Sequence, residues 1–355
     1  SVPMTPAVST PTMLSRFIAA AAVLSVILIA AACSGSPSGA TVQDPSPSPD
    51  RVEPIDEPVS EDDDQTAPDA PEIATEKDES SPRPDQVELI EGQFSDDGIQ
   101  VILGTPDVAV GTHRMAFVLN AKESPVRAPF ATVVSRHVPE DGSESGDETA
   151  LAVFRPWPYG TRGSYTTSLT FDVAGTWQLD VTVLGEDGES RTAQLSFPVA
   201  EETEAPDVGA PALRSQNKTL DDVDDLAKLT TGSIRDPDLY GTTIADAVGS
   251  GIPTVIVVAS PAFCINAVCG PQVEVLQQLK DKYKGQANFI HVDFYDNPDE
   301  IQGDLSRARI SPIVFEWRLL GVEWSFVIDQ DGKISARFES FATFDELDEA
   351  LRRIL

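Results

Sequence analysis

Short runs of alternating apolar and polar residues fill the chain between residues 92 and 200. The clearest run is TWQLDVTV at residues 176–183, whose period of two is typical of a half-buried strand. Residues 186–189 then supply a hairpin turn. Seven strands at this spacing predict an antiparallel β-sandwich with Trp177 in its core. The predicted strands are 99–103, 113–121, 130–138, 150–154, 164–172, 176–183 and 191–199.

A different pattern occupies residues 213–355. Residues 254–259 are continuously apolar, which is typical of a strand buried on both faces in a parallel sheet. Pro271 begins a helical pattern, and residues 289–295 form a second apolar run. The pattern of residues 324–338 then predicts a hairpin, and Thr343 and Glu346 have capping-box spacing at the start of a final helix. The predicted order is strand, helix, strand, helix, hairpin, helix.

The composition narrows the classes of function. The chain has 355 residues, with 58 Asp and Glu against 25 Lys and Arg, a net charge of −33. That length allows two domains plus extra segments. The negative charge repels phosphate backbones, so we expect no nucleic-acid partner. Three cysteines cannot build a four-thiolate zinc site, and we predict neither a metal nor a cofactor.

The N-terminal region contains an apolar run at residues 17–32, which follows Arg16 and ends at Cys33. The run is shorter than the roughly 20 residues of a membrane span and is typical of an export signal. Ala30-Ala31-Ala32-Cys33 resembles a bacterial lipoprotein lipobox, with Ala30 in place of the usual Leu. The resemblance implies a signal peptide over 1–32 and a lipid on Cys33 that anchors the protein to the outer face of the cell membrane. The alternative is an uncleaved anchor helix.

Residues 33–91 differ sharply in composition from the remainder of the chain. From residue 34 onward they hold seventeen Asp or Glu, three Lys or Arg, ten prolines and no aromatic residue. Such a segment cannot bury enough apolar surface to offset chain entropy. We therefore predict a disordered acidic Pro/Ser-rich tether over 33–91, a folded domain over 92–200, a linker over 201–212 and a second domain over 213–355.

Each folded domain resembles a known fold. Residues 165–177 resemble the late strands of immunoglobulin-like domains in bacterial envelope proteins, and Trp157 either caps that core or faces a partner. Residues 213–355 resemble the thioredoxin fold in the order of apolar strand, cysteine motif, helix, hairpin and final helix. The two resemblances imply a multidomain chain in which an all-β immunoglobulin-like sandwich precedes an α/β thioredoxin-like fold.

The chemistry that this resemblance implies lies at Cys264 and Cys269. Thioredoxin-like oxidoreductases use Cys-x-x-Cys, whereas these two residues are five apart, so either cysteine fits the nucleophile position. A thiol at a helix N-terminus has a lowered pKa. Five helical residues turn through about 500°, so pairing requires a loop before Gly270. With Cys33 lipidated, we expect a disulfide between Cys264 and Cys269, either redox-active or structural.

One position differs from the family pattern. The family has a cis-proline before its hairpin strand, where this chain has Val322 and Glu323 ahead of Trp324. A carboxylate beside the thiols would raise their pKa. Fewer thiolates would then form at neutral pH, which counts against general disulfide-reductase activity.

The resemblance implies thiol–disulfide exchange on envelope protein clients or a redox partner, with Cys264 and Cys269 as catalytic residues. One alternative is a non-enzymatic envelope interaction lipoprotein with a structural disulfide. Another is a copper-delivery protein similar to the Sco-type chaperones, in which His291 would join the cysteines. His291 lies within a predicted strand, which favours a core position. The expected neighbours of the thiols are Phe263, Gly270, Pro271, Glu323 and Trp324.

Overall fold

The structure is a computed structural model that describes residues 84–122, 126–143, 146–185, 187–233, 235–264 and 268–355. These residues belong to one compact unit. The predicted signal peptide, Cys33 and residues 33–83 of the predicted tether lie outside the described residues, so these features stay predictions. Within the described ranges, no helix is long and apolar enough to cross a membrane.

Seven strands form the first sheet, and the alternating pattern predicted each of them within a few residues. Gly175 has a φ of 138°, a conformation that favours glycine, and begins the sixth strand. The strands are β1 (Ile99–Leu103), β2 (Gly111–Ala121), β3 (Phe130–His137), β4 (Asp147–Pro156), β5 (Gly163–Phe171), β6 (Gly175–Leu184) and β7 (Ser190–Val199).

The first sheet is antiparallel and nearly closed, with the order β1-β2-β5-β4-β3-β6-β7. The two outer strands come together where the Thr192 amide of β7 donates to the Asp97 carboxylate, just before β1, at 2.9 Å. Alternate side chains point into one apolar core, in which Trp177 packs edge-to-face on Phe171 at 5.0 Å. A nearly closed sheet of this kind fits a β-sandwich.

The second sheet has the order β11-β10-β8-β9. Its first two strands along the chain are parallel, and β10 is antiparallel to both β8 and β11. The strands are β8 (Thr254–Ala259), β9 (Asn288–Asp293), β10 (Glu323–Ile328) and β11 (Ile334–Glu339). The α-helices are α1 (Ile244–Gly249), α2 (Cys269–Lys282), α3 (Pro298–Ile301), α4 (Pro312–Glu316) and α5 (Phe344–Arg352), with 3₁₀ turns at Leu226–Lys228, Pro237–Leu239 and Leu305–Arg307.

Apolar side chains cover both faces of the second sheet. Helices α2 and α5 pack on one face together with Val255, Val257 and Val327. Residues of α1 and α4 pack on the other face, together with Trp324 and Phe326. The capping box predicted at Thr343 is present at the start of α5.

The prediction of an α/β thioredoxin-like fold for residues 213–355 is wrong. The described part of the chain is mostly β, with two sheets and few helices, and three of its α-helices have six residues or fewer. The two short helices α3 and α4 stand in place of the single helix expected between β9 and β10. The backbone at Gln302 and Arg318 is left-handed, with φ of 49° and 50°, and stops α3 and α4 after a few residues.

Two ion pairs join the first sheet to the second. Arg337 of β11 donates to the Asp107 carboxylate, between β1 and β2, at 2.7 Å, and both side chains are buried. Arg114 of β2 donates to the Glu346 carboxylate of α5 at 2.8 Å. The two sheets are thus connected by contacts with low exposure to solvent.

Residues 201–212, for which we predicted a linker, lie along the edge of the second sheet. The Gly209 amide donates to the Ile334 carbonyl at 2.8 Å, and the Ile334 amide donates to the Ala210 carbonyl at 2.9 Å. Ala205 is buried as well. The segment therefore pairs with β11 as a short additional strand would.

Candidate functional site

Cys264 and Cys269 form a disulfide, as the sequence predicted, with their Cα atoms 5.9 Å apart. Cys264 lies in the loop that follows β8, and Cys269 is the first residue of α2. Cys269 is fully buried, whereas Cys264 is partly exposed. Of the two residues, Cys264 is therefore the more open to a reagent from solvent.

The first turn of α2 adjoins this disulfide. Gly270 and Pro271 follow Cys269 within the helix, and no side chain caps the helix at Val268. Pro271 suits the first turn because it has no N–H that would need an acceptor there. The N-terminal end of a 14-residue helix carries a partial positive charge. This end of α2 would therefore favour a negative charge on the Cys269 sulfur when the bond opens.

Glu323, the first residue of β10, is a buried carboxyl group on the same side of the sheet as Cys269. Side chains alternate along β10, so Glu323 faces away from Trp324 and towards the side that α2 covers. The Cys269 Sγ lies 3.7 Å from the carbonyl oxygen of the preceding residue, Val322.

The environment of Glu323 favours its neutral form. Its side chain is 5% exposed, and neither carboxyl oxygen has a hydrogen-bond partner among the described residues. Burial raises the pKa of Glu323 to about 8, against a smaller opposing effect of the Arg114 charge. The group is therefore a protonated acid at neutral pH.

Phe263 and Trp324, which the sequence placed near the thiols, pack on the opposite side of the second sheet. Phe263 meets the ring of Tyr295 edge-on at 6.1 Å. Trp324 is fully buried, stacks on Phe326 and donates its indole N–H to the Leu320 carbonyl at 2.7 Å. Both residues support the sheet beneath the site, and their rings point away from α2.

A buried polar network fixes the loop that leads to Cys264, and the sequence analysis missed it. The Asp293 carboxylate, at the end of β9, accepts hydrogen bonds from the Thr231 amide at 2.6 Å and the Thr231 hydroxyl at 2.8 Å. The same hydroxyl accepts the Ala262 amide at 3.2 Å. Burial raises the pKa of Asp293 to about 6. The available signal was the position of Ser260 and Asp293 at the carboxyl ends of two adjacent parallel strands.

His291 lies in the core, and both of its ring nitrogens are in hydrogen-bond contact. The Tyr240 hydroxyl lies 2.7 Å from Nδ1, and Nε2 lies 3.1 Å from the Ala259 carbonyl oxygen. Burial lowers the pKa of His291 to about 4. The described residues contain no group of three His, Cys, Asp or Glu side chains that could hold a metal ion. This arrangement leaves His291 without a free nitrogen to share copper with the cysteines.

Comparisons with known proteins add little. No protein-family model matches the chain, and no curated protein matches it. Among solved structures, the PmoD soluble domain from Methylocystis sp. ATCC 49242 (Rockwell) is 20% identical over 31% of this chain and 98% of that chain, with a TM-score of 0.21. At this TM-score the likeness supports no conclusion about fold or function.

Proposed function

We propose that the protein carries out thiol–disulfide exchange through Cys264 and Cys269. The observation that carries the proposal is the unequal exposure of the two cysteines at the start of α2, where Cys264 is partly exposed and Cys269 is buried. Exchange needs one sulfur that a partner can reach and a second that leaves and later returns. A disulfide with two equally buried sulfurs would lack this division of roles.

The reaction then runs in two steps. A client thiolate attacks the Cys264 sulfur, the Cys264–Cys269 bond breaks, and Cys269 leaves as a thiolate. A second client thiolate attacks the client sulfur of the mixed disulfide and releases Cys264. The client dithiol loses two electrons and two protons. The electrons reduce the cysteine pair, and the protons pass to its two released thiolates or to solvent. The reverse sequence reduces a client disulfide.

The protonation state of Glu323 affects the charge near Cys269 during these steps. It lies on the side of the sheet that α2 covers, beside Val322, whose carbonyl contacts the Cys269 sulfur. Its pKa of about 8 means that it holds a proton at neutral pH and releases it in mildly alkaline solution. At neutral pH the uncharged acid adds no negative charge on the side of the sheet where the Cys269 thiolate forms, whereas its carboxylate would oppose that thiolate in alkaline solution.

The location of the reaction is also a proposal. Lipidation of Cys33 would hold the protein at the outer face of the cell membrane, with the predicted tether of residues 33–91 and with envelope proteins as clients. Disulfides persist in that compartment, which agrees with the bond between Cys264 and Cys269. A relationship of the first sheet to immunoglobulin-like domains would fit a role for this sheet in binding clients.

The reduction potential of the Cys264–Cys269 pair tests the proposal. We expect a value between roughly −270 and −120 mV, the span of known exchange proteins. The measurement is the fraction of alkylated thiols, by mass, across a dithiothreitol redox series. A value below about −300 mV would mark a structural disulfide and overturn the proposal in favour of the non-enzymatic alternative.

Two single variants test the assignment of roles within the same pair. Cys269→Ser leaves Cys264 without its partner, so a mixed disulfide with an added peptide disulfide should accumulate. Cys264→Ser leaves only the buried sulfur, and we expect its mixed disulfide to form at least about tenfold more slowly. Non-reducing mass analysis over time gives both rates. Equal rates, or no adduct on either variant, would contradict the assignment.

A further inference from the structure

The loop between β4 and β5 extends from the first sheet to the helix that carries Cys269. The loop, residues 157–162, is closed by a hydrogen bond from the Trp157 amide to the Arg162 carbonyl at 3.0 Å. At its tip the Tyr159 hydroxyl lies 2.8 Å and 3.0 Å from the two carboxylate oxygens of Glu274 in α2. The first sheet thus contributes directly to the surroundings of the disulfide helix.

Helix geometry places this contact within the first two turns of the helix that begins at Cys269. Glu274 lies four residues after Gly270, so the two residues share one face of α2. Gly270 directly follows Cys269. Glu274 is five residues beyond Cys269, so the bond to Tyr159 anchors the loop roughly 7.5 Å further along α2 and about 140° around the helix from the buried sulfur.

Trp157 makes a second contact from the same loop. Its indole packs against the apolar cluster that contains Cys269 and Val273, and the partly buried Cys264 packs against this cluster as well. The indole Nε1 is buried and has no hydrogen-bond partner among the described residues. Such an unpaired donor is unfavourable, so packing, rather than hydrogen bonding, holds the ring in place.

The contact at the tip of the loop is exposed to solvent. Tyr159 is 61% exposed, and its bond to Glu274 is open to solvent. A contact of this kind is readily broken and re-formed. A partner that makes a favourable contact in its place can therefore displace the loop.

We infer that this loop is the specificity-determining wall of the disulfide site, with Trp157 and Tyr159 as its positioning residues. Small thiols reach Cys264 past the loop, whereas a cysteine within a peptide or protein segment must displace it. The first sheet then selects among clients, in addition to any role as a spacer. The client part of this inference rests on the proposed exchange activity.

The experiment compares the rates at which dithiothreitol and a flexible twelve-residue dithiol peptide reduce the disulfide in the whole protein. In Tyr159→Phe, which loses only the bond to Glu274, the peptide rate should rise roughly fivefold relative to the dithiothreitol rate. Trp157→Ala should raise this ratio further. Tyr283→Phe is the matched control, because its hydroxyl bonds to the Asp348 carboxylate at 2.8 Å near the other end of α2.

The inference is tested by the ratio of the reduction rate with the peptide to the reduction rate with dithiothreitol. An unchanged ratio in both loop variants would overturn it, and so would an equal rise in Tyr283→Phe, which would indicate general loosening of α2. The ratio is measurable even for a purely structural disulfide. A reduction potential below about −300 mV would therefore overturn the proposed function. The ratio of the peptide rate to the dithiothreitol rate would still show whether the loop controls access to the disulfide.

Discussion

Replacement of Arg337 with alanine is expected to lower the free energy of unfolding by about 3–5 kcal/mol, because it removes one partner of a buried ion pair. The Arg337 guanidinium donates to the Asp107 carboxylate at 2.7 Å and to the Ala205 carbonyl at 3.2 Å, and it lies over the Trp324 ring. Without it, the Asp107 carboxylate stays buried between the two sheets with no cation. Urea unfolding of the wild type and the variant gives the difference.

Arg309→Ala is the control for this prediction. Arg309 also pairs with a carboxylate, that of Glu300 at 2.9 Å, but both side chains are exposed. We expect the free energy of unfolding to stay nearly unchanged, because exposed pairs contribute little. Equal losses of unfolding free energy in the two variants would show that the buried pair stabilises the protein no more than an exposed pair does, which would contradict the prediction. If Arg337→Ala fails to fold, Arg337→Lys, which keeps the charge but loses the fork, is measured in its place.

Between pH 5 and pH 9 the protein is expected to lose stability through Glu323. Burial raises the pKa of this group from 4.5 to about 8. Between these values the folded state keeps a proton that the unfolded chain has released, so the free energy of unfolding falls as the pH rises and levels off above about 8. The shift corresponds to a loss on the order of 5 kcal/mol.

Glu323→Gln isolates this contribution because the amide cannot titrate. The wild type should lose more stability than the variant between pH 5 and pH 9, as measured by urea unfolding at both pH values. Burial also raises the pKa values of Asp293 and Glu339, but these groups titrate in both proteins and their effects cancel. Parallel pH curves for the two proteins would contradict the assignment of a raised pKa to Glu323.

The strands of the first sheet were predictable because each has a local signal in the sequence. A period of two tells which side chains are buried, and turn residues mark the ends, so no knowledge of distant contacts was needed. The prediction for the segment between β9 and β10 was wrong. The predicted order has a single helix there, but the left-handed backbone at Gln302 and Arg318 ends α3 and α4 after a few residues.

The site was predictable only in part. Sequence placed Cys264 and Cys269 at the start of a helix and paired them. We expected both Glu323 and Trp324 beside the thiols, but side chains alternate along β10 and Trp324 packs on the opposite face. The contact of Tyr159 with Glu274 joins residues 115 positions apart. No sequence pattern reports how a hairpin loop from one sheet meets a helix beside the other, so this part of the site needed the structure.

The strand-like pairing of residues 209–212 with β11 has a consequence for association between molecules. An edge strand presents unpaired N–H and C=O groups that can recruit a strand from another molecule. Gly209 and Ala210 occupy these groups around Ile334, and in the first sheet the Thr192 amide of β7 bonds to the Asp97 carboxylate. A stretch whose composition suggested a simple spacer thus shields a sheet from edge-to-edge aggregation.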